Sequence, residues 1–142
     1  MQETHGLGTQ LKESAMEIFH KDELSLKRDG YEIMHLVSQM KYEDWDDDPA
    51  IKNVYLREVA DSLLKALGAC HVQIIEHTVR KRHEVFPVST GEPYKYNQPT
   101  SIAHIDTTVP WVLDMVRSLN PEKAEEVMKH RVQCVKYVYH IG

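Results

Sequence analysis

Asp46-Asp47-Asp48-Pro49-Ala50-Ile51-Lys52-Asn53-Val54-Tyr55, running on to Gly68, is the best-marked stretch of the chain. Asp47 or Asp48 can cap a helix, and Pro49 suits its first turn, where the missing N–H has no intrahelical partner to lose. Ile51, Val54, Tyr55, Val59, Leu63 and Leu67 recur at helical spacing, and Gly68 supplies the stop. The pattern predicts an amphipathic helix packed on a core. Upstream, residues 1–48 read as polar and irregular, with an amphipathic helix around Thr9–His20. Asp44, Asp46, Asp47 and Asp48 surround Trp45 and read as a solvated acidic loop, because no EF-hand glycine or terminal Glu follows.

Downstream of Gly68 the period changes. Cys70–Val79 holds Val72, Ile74, Ile75 and Val79 with few helix formers, which predicts a strand. Pro87, Gly91, Pro93 and Pro99 make Val85–Thr100 a long ordered loop. A short strand is expected at Ser101–Asp106. Pro110 then opens a helix with Val112, Leu113, Val116 and Leu119 on its apolar side and Trp111 in the core. Asn120 caps and Pro121 opens a second short helix through His130, and Val132–Ile141 suits a last strand. The resulting class is α+β.

At 142 residues, with 42% hydrophobic and 27% charged side chains, the chain suits a single domain over residues 1–142. A formal net charge of -5 without a basic stripe argues against gripping nucleic acid. No run approaches the roughly 18 apolar residues of a membrane span, and the first twenty residues lack a secretory h-region. Cys70 and Cys134 have no metal-type spacing; both lie in apolar runs, where a free Cys is expected to be buried in a reducing, cytoplasmic setting. Phosphate-loop, nucleophile-elbow and Cys-x-x-Cys patterns are missing from the sequence.

The sharpest chemical feature is His104-Ile105-Asp106. Residues two apart on a strand share a face, so an imidazole nitrogen and a carboxylate oxygen would stand side by side. This is the geometry of two ligands of a 2-His-1-carboxylate facial triad, and equally that of a plain His–Asp hydrogen bond at a strand end. Nine His and nine Asp in 142 residues make one such pairing unremarkable by itself. Arg80 and Arg82 can pair bidentately with a carboxylate, or form a solvated rim beside Glu84 and Glu92. Tyr94 and Tyr96 can line a substrate pocket or cover the His104 strand.

A wider pattern surrounds these residues. Arg80-Lys81-Arg82, Phe86-Pro87-Val88-Ser89-Thr90-Gly91, Tyr94-Lys95-Tyr96 and Gln98–Asp106 resemble the fungal hydroxylase/desaturase family related to gibberellin desaturase and the cephalosporin methoxylase component. Asp29-Gly30-Tyr31-Glu32, Asp46–Tyr55, Glu58-Val59, Leu67-Gly68-Ala69, His77–Arg80, Lys123–Glu126 and Arg131-Val132-Gln133 extend the likeness over residues 23 to 135.

The resemblance implies the N-terminal part of a double-stranded β-helix (jelly-roll) with flanking helices. It also implies Fe(II) and 2-oxoglutarate as cofactors, with His104 and Asp106 as the first two iron ligands. The reaction would be hydroxylation or desaturation of a small molecule in secondary metabolite biosynthesis. Against the family pattern the chain is C-terminally short: the distal His and the Arg that clamps 2-oxoglutarate are missing, which puts both cofactors in question and leaves the expected barrel incomplete. His140 or His77 could substitute as third ligand, or a second copy could cover the open edge as a homodimer. The alternatives are an inactive partner subunit bound to a full-length relative, and a redox-neutral isomerase or cyclase using His104 or Asp106 as acid or base.

Overall fold

The computed structural model of the protein describes residues 24–89, 91–100, 102 and 104–141. The expected helix at Thr9–His20 lies outside them. The chain divides into two compact units, Met1–Ile74 and Ile75–Gly142.

In the first unit the marked stretch is helical from Asp48 to Leu67. It begins as α2 (Asp48–Ala50), widens to a π turn at Ile51–Tyr55, and continues as α3 (Leu56–Leu67); α1 is the short Leu26–Asp29 helix upstream. Asp47 occupies the N-cap position with extended backbone, although its side chain makes no capping bond, and Pro49 sits in the first turn. Asp48 instead pairs with Lys52 one turn on, at 2.6 Å.

Gly68 ends the helix at φ 57°, in the left-handed conformation, with its N–H bonded back into the last turn. Here glycine is required by the dihedral alone, because a Cβ at this position would meet nothing within 4 Å.

Ile51, Val59 and Leu63 are buried on one side of this helix. Four-residue steps drift by about 40° in an ideal α-helix, and the wider π turn offsets part of that drift, keeping Ile51 on the same face. The fourth core residue departs from the sequence expectation. Trp45, in the middle of the acidic segment, is buried in a 3-10 turn, Tyr42–Asp46, and packs edge-on against Tyr55 with ring centroids 4.7 Å apart. Asp46, Asp47 and Asp48 around it are exposed, as expected of a solvated loop.

Glu58 fastens the irregular segment before the turn: its carboxylate accepts from Ser38 Oγ at 2.6 Å and from the Gln39 N–H at 2.9 Å.

The second unit holds α4 (Val109–Leu119) and α5 (Ala124–Val127). Thr108 caps α4 through its hydroxyl, Pro110 lies in the first turn, and Asn120 closes the end by donating from its side chain to Val116 O at 3.0 Å. Val112, Leu113 and Val116 are half-buried, as the spacing predicts, whereas Leu119, expected on the same side, is exposed in the last turn. Trp111 corrects the expectation of a core residue: it is 40% exposed, because its position in the first turn falls off the covered face.

Cys70 and Cys134 are likewise exposed rather than buried, since the apolar runs that carry them face solvent at Ile74, Ile75, Val135 and Val138. Among the described residues the runs expected as strands form no ladder. A single parallel bridge joins Arg80 to Asn97. No helix among the described residues is long and apolar enough to cross a membrane.

Two outcomes test this account. Leu63→Ala should cost about 2–4 kcal/mol, and Gly68→Ala about 1 kcal/mol, in chemical denaturation of the intact chain. A neutral Leu63→Ala would remove Leu63 from the core. Asp29 supplies a pH test. The Arg28 guanidinium, and next the Ser25 N–H at 2.8 Å, hold its carboxyl below the usual aspartate range. A depressed native value means the contact contributes above the ordinary aspartate pKa and is lost as pH falls through the lowered value. The Ser25 amide resonance should therefore titrate at a pH below that of a free aspartate.

Candidate functional site

The loop that leads into the site is braced by one side chain. Gln98 donates from Nε2 to Lys81 O and to Tyr96 O, both at 2.9 Å, and accepts the His83 N–H on Oε1 at 2.7 Å. Its own carbonyl accepts from the Arg80 guanidinium at 2.6 Å, and Lys81 N–H donates to Asn97 O at 3.2 Å. A half-buried amide with two donors and one acceptor thus ties residues 80–83 to residues 96–98. As expected for a tract rich in Pro and Gly, the intervening chain forms turns rather than a helix, with Gly91 at φ 82° and a cis Phe86–Pro87 bond.

Tyr94 and Tyr96 point to different partners. The Tyr94 hydroxyl donates to Val88 O, and its ring lies 5.1 Å from His83 and 6.2 Å from Phe86. Tyr96 is flanked by Lys81 and Lys95, whose ammonium groups lie 4.6 and 4.9 Å from the ring centroid. Arg80 is committed to the Gln98 carbonyl, and Arg82 is exposed. The contacts of Arg80 and Tyr94 described above lie within the 80–98 loop and do not reach His104 or Asp106.

His104 and Asp106 do come together. His104 Nε2 lies 2.8 Å from Asp106 Oδ1, and His104 Nδ1 lies 2.8 Å from Ile102 O. Both ring nitrogens of His104 therefore face oxygen acceptors, Ile102 O and Asp106 Oδ1. A hydrogen on Nε2, or a cation in its place, completes the contact with Asp106 Oδ1. Metal-bound histidines likewise hold their other ring nitrogen on a backbone carbonyl. The spacing also suits a metal, because neighbouring ligands of an octahedral ion at about 2.1 Å lie about 3 Å apart.

Asp106 has a second partner. Lys136, thirty positions along the chain, donates its ammonium to Asp106 Oδ2. The bond from Lys136 is the main cause holding the Asp106 carboxyl below the usual aspartate range. The three side chains are between 41% and 68% exposed, so the cluster is reachable from solvent. Among the described residues no third His, Cys, Asp or Glu joins the pair, so His77 and His140 are not assembled with it. The donors brought together are one imidazole nitrogen and one carboxylate oxygen, 2.8 Å apart.

Two residues that organise this region carry no sequence signal. Gln98 stands in the motif without a role legible from its neighbours, and Lys136 lies in a run legible only as apolar. Their importance follows from partners 15 to 30 residues away.

The comparisons agree with an oxidoreductase setting. The chain belongs to the oxidoreductase/YMDC permease-like domain family, whose model matches residues 11–137. An oxidoreductase of Emericella nidulans is 30% identical over 118 residues, covering 82% of this chain and 39% of that protein. The alpha-ketoglutarate-dependent dioxygenase tstK of Talaromyces stipitatus is 38% identical over 60 residues, covering 42% of this chain and 22% of that protein. The chain therefore spans about two fifths or less of these relatives. No solved structure matches.

Gln98→Ala removes three hydrogen bonds at once. It should cost about 1–3 kcal/mol, and hydrogen exchange at the Lys81 and His83 amides should rise. Unchanged exchange at both would show that the loop is held by other means.

Proposed function

We propose that the chain forms part of an Fe(II)/2-oxoglutarate-type oxidoreductase, a hydroxylase or desaturase acting on a small molecule in secondary metabolite biosynthesis. Its proposed fold is the N-terminal part of the double-stranded β-helix of the fungal hydroxylase/desaturase family related to gibberellin desaturase and the cephalosporin methoxylase component. The observation that carries this reading is the His104 Nε2–Asp106 Oδ1 contact at 2.8 Å, with Nδ1 held on the Ile102 carbonyl. It leaves a nitrogen and an oxygen donor at the spacing of adjacent metal ligands. Membership of an oxidoreductase-like family and the dioxygenase relative support the same class.

In this reading His104 and Asp106 hold the ferrous ion, which when bound would supply the oxidising chemistry with 2-oxoglutarate as co-substrate. The remaining ligand would come from outside the described residues or from a second copy of the chain. Arg82, exposed at the base of the loop, is suited to a carboxylate of substrate or co-substrate, with Arg80 fixing the loop through Gln98. Tyr94 and Tyr96 would line the side of the loop that meets substrate.

A second reading, a non-catalytic partner subunit, is favoured by one observation: Ile102, Ile105 and Val109 are each more than two-thirds exposed. Clustered apolar exposure of this kind marks association surfaces.

Anaerobic addition of Fe(II) and 2-oxoglutarate to the intact chain should produce the weak visible charge-transfer band of a chelated ferrous centre. His104→Ala should weaken iron binding by at least about tenfold. A folded chain that develops no band, and whose measured mass is that of a stable assembly with a relative, would replace the first reading with the second.

A further inference from the structure

Asp106 is a short side chain whose carboxylate can rotate, and a ligand is useful to a metal only if one oxygen is held toward it. The oxygen that faces His104 is Oδ1; the other, Oδ2, is taken by the Lys136 ammonium. Lys136 reaches it from a distant part of the chain, in the run after α5, while Ile102 O orients the ring of His104 from two residues away. Each member of the pair is therefore aimed by a partner that is not itself a donor to the ion.

We infer that Lys136 is a positioning residue for metal capture, holding Asp106 by Oδ2 so that Oδ1 and His104 Nε2 stand as adjacent ligands. The inference rests on the iron reading above and adds to it the group that sets the carboxylate. An ammonium beside a divalent cation also repels it. At an exposed site such repulsion is largely screened by water and salt, whereas the loss of orientation is not. The sign of the effect of removing Lys136 therefore separates a positioning group from a competing charge.

The test uses Co(II) as probe, with affinity read by titration and by the visible ligand-field spectrum of the intact chain. Lys136→Met should weaken Co(II) binding about tenfold or more and shift the spectrum, and Lys136→Arg should restore most of both. Lys136 is 68% exposed, so neither variant should alter the far-UV circular dichroism; Lys136→Gln serves if Lys136→Met does. Unchanged affinity in Lys136→Met, or tighter binding, overturns the positioning role while leaving the metal site in place. A wild-type chain whose Co(II) binding is absent, or is unaffected by Asp106→Asn, overturns the iron reading and this inference with it.

Discussion

His104 Nε2 and Asp106 Oδ1 stand 2.8 Å apart, and each side chain is held by a second partner. The candidate site is built from that contact. The Ile102 carbonyl holds Nδ1 of His104, and Nε2 faces Asp106. A hydrogen between the two atoms satisfies the contact, and in the proposed reading a divalent ion would bind the same two atoms. Lys136 holds the far oxygen of the same carboxylate.

The unit that holds the pair is fastened by polar contacts more than by burial. In the unit that holds the pair, the Gln98 amide fixes the base of the long loop, and Thr108 and Asn120 close the two ends of α4. Hydrophobic packing concentrates in the other unit, where Trp45, Ile51, Val59 and Leu63 form the buried set. A site assembled from exposed, hydrogen-bonded side chains is open to solutes, and its geometry depends on a few directed contacts.

Family membership and geometry meet at the level of the oxidoreductase class. The matched domain runs over residues 11–137 and includes every residue of the cluster. The share of each relative that the chain covers is modest, so the full reaction belongs to the proposal and the donor pair to the structure.

Local patterns are legible in the sequence. Pro49 and Gly68 bracket their helix, Thr108 to Asn120 bracket the next, and the Pro- and Gly-rich tract is irregular, because caps, fixed φ values and left-handed turns are set by a few neighbouring residues. The pairing of His104 with Asp106 is legible for the same reason, its members standing two residues apart. Trp45 in the core, Trp111 and both cysteines outside it, the Gln98 brace and the Lys136 contact are not. Each of these depends on groups brought close from distant positions, and burial or charge pairing of that kind has no period along a chain. Sequence alone settled where the backbone turns and which two donors stand together; tertiary structure settled which way they point, since orientation is imposed by partners that only folding brings within reach.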